Sequence, residues 1–206
     1  MRSVGAPAGN AHSEMIGAYF EPGATSALLH VPAGELTDQV VGLEQIWGSR
    51  GARLAADLAS EDDVSRVDRL ETVLLERLRR APATRWRIDT VGLANWVRTE
   101  RTSVTVRCLA TAAGVSRQHL TRVFRQVIGV TPKRYCRLAR FQAGLIYAGA
   151  GPNVRWAEVA TELGYADQSH MIAEFRELSG LSPEALATQR WFHPFILDAR
   201  GRRGHC

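Results

Sequence analysis

A repeat in the second half of the chain limits its fold more than any other feature. Leu109-Ala110-Thr111 returns as Val159-Ala160-Thr161 and Gly114 as Gly164, each 50 residues later. After one extra residue the offset is 51. His119-Leu120 then returns as His170-Met171, Phe124-Arg125 as Phe175-Arg176, Gly129 as Gly180, and Thr131-Pro132 as Ser182-Pro183. Matches kept in order at a fixed period mark a duplicated supersecondary unit.

The unit reads as helix, tight turn, helix, stop. In copy one, a short helix over residues 107–113 turns Leu109 and Ala110 inward, and Gly114 supplies the positive φ of a sharp turn. Ser116 caps a second helix running to about residue 128, with Leu120, Val123, Phe124 and Val127 at i, i+3, i+4 and i+7. Gly129 ends it, and Thr131-Pro132 opens the next helix as a cap followed by proline at the first position. In copy two the parts are a helix over 155–163, Gly164, the cap Asp167, the face Met171, Phe175 and Leu178, then Gly180 and Ser182-Pro183.

A helix-turn-helix places its second helix in a DNA major groove, so the outward face should carry donors. In copy one that face is Arg117, Gln118, Thr121, Arg122 and Arg125. Arginine suits guanine; glutamine suits adenine or a phosphate. Between the copies, residues 131–148 read as one long helix with Tyr135, Leu138, Phe141, Gln142 and Leu145 winding round it. Such a helix would hold two reading heads in successive major grooves, about 34–36 Å apart.

Charge points the same way. Residues 1–83 hold 8 basic and 12 acidic side chains, whereas residues 84–206 hold 18 basic and 9 acidic, nearly all the basic ones arginine. A basic second half suggests a polyanion partner, nucleic acid first and an anionic membrane second. Mean hydropathy is −0.16, and no apolar run approaches the ~20 residues of a membrane span. No apolar leader follows the N-terminal charge. Cys108, Cys136 and Cys206 are odd in number and without a CxxC, which fits a reduced cytoplasm rather than a disulfide framework or a zinc module. There is no Gly-rich phosphate loop, nucleophile elbow or metal constellation, so no enzyme, metal or cofactor is expected.

The stretches GVSRQHLTRVFRQVIGVTPKRYCRLARFQAGLIYAG and VATELGYADQSHMIAEFRELSGLSP resemble the DNA-binding domain of AraC-type (AraC/XylS) transcriptional regulators. The RFQ pattern and the GYADQSH turn are the most specific parts, and the resemblance covers about residues 88 to 190. It implies two helix-turn-helix units joined by a long helix. It also implies base reading by Gln118, Thr121 and Arg122 in the first unit and by Gln168, Ser169, Ile172 and Ala173 in the second. Members usually carry arginine where this chain has Ala173. Copy two loses two of copy one's arginines, and its remaining Arg176, like Arg125, is better placed for phosphate, so copy one is expected to discriminate bases and copy two mainly to anchor the backbone.

Upstream, AYFEPGATSALLHVPAGELTDQVVGLEQIWG resembles the closing part of the effector-sensing barrel of many such regulators. Strands at 16–20 and 27–30 would be remnants of it, followed by helices near 43–47, 52–59 and 64–80. A whole barrel needs more chain, so DNA binding is expected to need no small-molecule effector. The last helix presents Val64, Val67, Leu70, Leu74 and Leu78 on one face, either to pack on its own domain or to form a homodimer through 64–80.

The expected fold is mainly α: two helix-turn-helix units joined by a long linker helix, preceded by a small α+β N-terminal remnant. The expected organisation is a truncated sensor or dimerisation-like region at 1–83, the DNA-binding domain at 84–192 and a basic tail at 193–206, disordered over 198–206. The expected function is sequence-specific binding of double-stranded DNA by a cytoplasmic transcription regulator, with no membrane partner. One rival is an enzyme carrying this module, such as a DNA-repair alkyl acceptor, but residues 1–83 hold no cysteine to serve it. Another is a truncated interaction protein that pairs with full-length regulators through 36–80 and modulates them. His119 and His170 share a repeat position and are expected to pack or cap. Phe124, Phe175, Trp156 and Tyr165 should be core, and Cys108 and Cys136 small buried hydrophobes.

Overall fold

Good helix formers fill the intervals between glycine stops, and the computed structural model is accordingly helical; it describes residues 16–60, 62–80, 88–100, 104–149 and 153–188. The helices are α1 (Ala24–Leu29), α2 (Leu43–Trp47), α3 (Ser49–Ser60), α4 (Asp63–Arg80), α5 (Thr90–Glu100), α6 (Val106–Ala112), α7 (Arg117–Ile128), α8 (Pro132–Ala148), α9 (Trp156–Glu162), α10 (Gln168–Ser179) and α11 (Pro183–Thr188). The expected boundary after residue 83 and the tail 193–206, with Cys206, lie outside the described residues.

The helical part of the expected fold is present; the α+β remnant is not. No strand occurs among the described residues. Residues 16–20 are irregular, and most of the second expected strand is α1, which follows Gly23 at φ 92° and buries Leu28. A lone pair of strands is marginal in water. A short Ala/Leu segment such as ATSALL instead gains intrasegment hydrogen bonds as a helix.

Among the described residues, those of Met1–Gly92 and Gln118–Thr131 form one compact unit, and those of Leu93–Arg117 and Pro132–Cys206 a second. In the first unit, α1 and α3 pack on α4, and α2 packs on α3. Gly51 is buried where α2 and α3 approach, and a Cβ there would collide with the Leu43 carbonyl. Arg77 ties three pieces together: its Nε donates to the Leu28 carbonyl at 3.0 Å and its guanidinium lies 4.3 Å above the Trp47 ring. On the expected apolar face of α4 only Leu74 is buried; Val67 and Leu70 are half-buried, and Val64 and Leu78 are exposed. The α7 face of Leu120, Val123, Phe124 and Val127 is fully buried.

In the second unit the linker helix α8 supplies the floor. Ala143, Leu145 and Ala148 form a core with Trp156, Val159, Ala160, Leu163, Tyr165, Met171 and Phe175. Gly144 is small for a reason: a Cβ there would strike the Phe175 ring. Phe141 meets that ring edge-on, with centroids 4.8 Å apart. The four aromatic side chains expected in the core, Phe124, Trp156, Tyr165 and Phe175, are all buried.

Candidate nucleic-acid interface

The two turns repeat in backbone hydrogen bonding as well as in sequence. Gly114 and Gly164 have φ of 65° and 70°. Gly114 N–H donates to Thr111 O and Gly164 N–H to Thr161 O, both at 3.1 Å. One residue on, Val115 N–H donates to Ala110 O at 3.1 Å and Tyr165 N–H to Ala160 O at 2.9 Å. This paired closure on a left-handed glycine is a Schellman motif, which satisfies carbonyls a helix end leaves free.

Each turn leads into a twelve-residue helix, α7 or α10. Ser116 immediately precedes α7, and Asp167 caps α10 by accepting from the His170 N–H at 2.7 Å. On α7, Arg117, Gln118, Arg122 and Arg125 are exposed and Thr121 is half-buried, on the side away from the apolar stripe. The Arg122 guanidinium lies 3.1 Å from His119 Nδ1. On α10, Gln168, Ser169, Ala173 and Arg176 are exposed and Ile172 is half-buried. The His170 ring, also exposed, stands edge-on to Tyr165 at 5.5 Å. Each helix thus carries its expected residues on one accessible side.

Sequence reasoning missed what holds α10. Glu174, only 5% exposed, points from the inner face of α10. Arg137 Nε donates to its Oε2 at 2.9 Å, Arg140 Nη2 approaches at 3.3 Å, and the Tyr165 hydroxyl donates to Oε1 at 2.9 Å. Arg140 also stacks on the Tyr165 ring at 4.7 Å. Arg137 reaches on to Glu177 at 2.6 Å. Burial, followed by the Glu174 charge and hydrogen bond, pushes the Tyr165 hydroxyl far up, so it stays a donor. The signal was present in the repeat: the positions equivalent to Tyr165 and Glu174 are Val115 and Val123.

The expectation for the cysteines needs correcting. Cys108 is exposed and Cys136 only half-buried. With Leu109 and Ala110 turned inward, position 108 faces outward. The Thr105 hydroxyl bonds to the Cys108 Sγ at 3.1 Å and holds the thiol below its ordinary range, whereas burial pushes Cys136 up.

With this geometry in hand, residues 109–189 match the helix-turn-helix domain family, in its AraC-type form. These residues are an AraC-type helix-turn-helix domain. That family is one of DNA-binding transcription regulators. Among solved structures, the chain is similar to the C-terminal domain of AraT, a response regulator from Geobacillus stearothermophilus. That likeness has 18% identity over 52% of this chain and 88% of that one, with a TM-score of 0.45. It is also similar to the C-terminal domain of the two-component response regulator yesN from Fusobacterium nucleatum, at 17% identity over 46% of this chain and 93% of that one, TM-score 0.43. No curated protein matches the chain. No helix among the described residues is long and apolar enough to cross a membrane.

Proposed function

We propose that this chain is a sequence-specific transcription regulator that reads double-stranded DNA with α7 and α10 in successive major grooves. The observation that carries this reading is the pair of matched turns inside the AraC-type domain, each leading into a helix with an accessible polar face. Arg117, Gln118, Thr121, Arg122 and Arg125 form the stronger reading face. Gln168, Ser169, Ile172, Ala173 and Arg176 form the weaker one, since Ile172 offers only apolar contact to a thymine methyl or a sugar. Selection of bound sequences from random DNA tests function and half-site spacing together. About five phosphate contacts give a log–log salt slope near −4 to −5 on the selected site. A slope between 0 and −1 overturns the reading.

A second reading, self-association through 64–80, has its own support. Val64, Leu75 and Leu78 on α4 are 72%, 42% and 50% exposed, and such side chains gain from a partner surface. Sedimentation of the wild-type chain and of Val64→Asp tests it; a monomer at all concentrations overturns it.

A further inference from the structure

The N-terminal segment and the C-terminal end of α7 lie in one compact unit, and they meet backbone against backbone. Gly129, the left-handed residue that stops α7, has φ 98°, and its carbonyl accepts from Thr37 Oγ1 at 2.7 Å. Gly34 sits so close that a Cβ there would stand 2.9 Å from the Arg125 carbonyl oxygen. A Cβ on Gly129 would stand 3.0 Å from Thr37 Oγ1 and 3.2 Å from the Ala33 carbonyl. Farther back, a Cβ on Gly23 would lie 2.7 Å from Val91 and 3.5 Å from Val127. The equivalent stop in copy two, Gly180, has open space around its Cβ position.

We propose that residues 23–37 are a positioning clamp for the first recognition helix. The clamp rests on the DNA-binding reading above and adds a regulating element to it. Carbonyls at a helix C-terminal end lack intrahelical donors, and Thr37 supplies one from a distant part of the chain. Gly34 lets that segment approach until its backbone abuts the last turn. A helix of twelve residues moves as a rod about 18 Å long. A shift at its C-terminal end therefore travels to Gln118, Thr121 and Arg122, whose contacts with bases tolerate only about 0.5 Å. Thr37 and Gly34 are positioning residues; neither touches DNA.

The test uses the full chain, a selected DNA site and four variants. Thr37→Val keeps the shape and removes the hydroxyl, and Thr37→Ser keeps the hydroxyl. Gly34→Val drives a side chain toward the Arg125 carbonyl, and Gly17→Val is the control, since a Cβ there meets nothing within 4 Å. Thr37→Val should weaken binding about threefold to tenfold, the worth of one hydrogen bond. It should also flatten base preference in the α7 half-site alone. Thr37→Ser should restore both, Gly34→Val should do at least as much harm, and Gly17→Val should match wild type. Variants that only lower the melting temperature while the half-site preferences stay unchanged overturn the clamp; so does equal weakening in both half-sites. A wild-type chain that selects no sequence refutes the DNA reading instead. Amide exchange then tests the clamp alone: Thr37→Val should speed exchange at the last turn of α7, and unchanged protection there overturns it.

Discussion

Copy one holds Val115 and Val123 where copy two holds Tyr165 and Glu174, yet the two turns close with the same pair of backbone bonds. In copy two a buried carboxylate on α10 takes bonds from two α8 arginines and a phenol. In copy one the equivalent helix buries only Leu120, Val123, Phe124 and Val127, and its end is held by the N-terminal segment. One backbone motif is thus supported by two chemistries. Apolar packing is non-directional and tolerates small shifts. A buried carboxylate bonded by two arginines and a phenol constrains orientation more than apolar contact does, although Arg140 Nε in this network is buried without a partner.

The largest expected effect follows from removing the polar anchor. Glu174→Ala leaves Arg137, Arg140 and Tyr165 without their shared acceptor, and breaking one side of a buried pair costs roughly 3–5 kcal/mol. Arg137 and Arg140 are 25% and 22% exposed, so water softens the loss toward the low end. Val123→Ala removes two buried carbons and leaves a small cavity, about 2 kcal/mol. Denaturant midpoints of both variants check the pair. A Glu174→Ala loss no larger than that of Val123→Ala would remove the distinction drawn between the anchors.

Next comes the difference between the reading faces. Arg122→Ala should cost about 1–3 kcal/mol of binding and relax preference at one or two base pairs. Arg176→Ala should weaken all sequences alike and lower the salt slope by about one. Ala173→Arg should tighten binding while changing preference in the second half-site. A base-by-base affinity scan decides. Equal discrimination in both half-sites, or an Arg122→Ala protein with unaltered preference, breaks the asymmetry.

The legible parts of this molecule were those fixed by local chemistry. Gly114, Gly129, Gly164 and Gly180 all have positive φ, and α8 begins at Pro132 as the cap-and-proline pair implies. The apolar stripe of α7 followed directly from i, i+3, i+4 spacing. Segments too short to show a period were not legible: residues 27–30 read as a strand from four residues, yet three of them lie in α1, which packs on α4. Contacts far apart in sequence left no trace either, as with Thr37 and Gly129, 92 residues apart. Cys108 failed for a different reason. Average burial of the residue type was used where helix phase, set by Leu109 and Ala110, was the better guide.

The smallest expected effect separates the copies by pH. The Arg137 hydrogen bond, and then its charge, hold the Glu177 carboxyl below the usual carboxylate range, and the same bond raises Arg137. A carboxylate whose folded value is depressed adds stability above its unfolded value, near 4.3, and loses it as pH falls through the folded one. Acid below the usual carboxylate range should therefore release this tie between α8 and α10. The buried face of α7 is Leu120, Val123, Phe124 and Val127, which has nothing to titrate. Amide exchange, corrected for its intrinsic pH dependence and compared at pH 6 and pH 3.5, should show α10 losing protection relative to α7. Because Glu177 is largely exposed, the change should be modest, and Glu177→Gln should shrink it while leaving α7 untouched. Parallel loss in both helices, with Glu177→Gln behaving as wild type, would mean that acid acts on both helices alike and that this tie sets nothing particular to copy two.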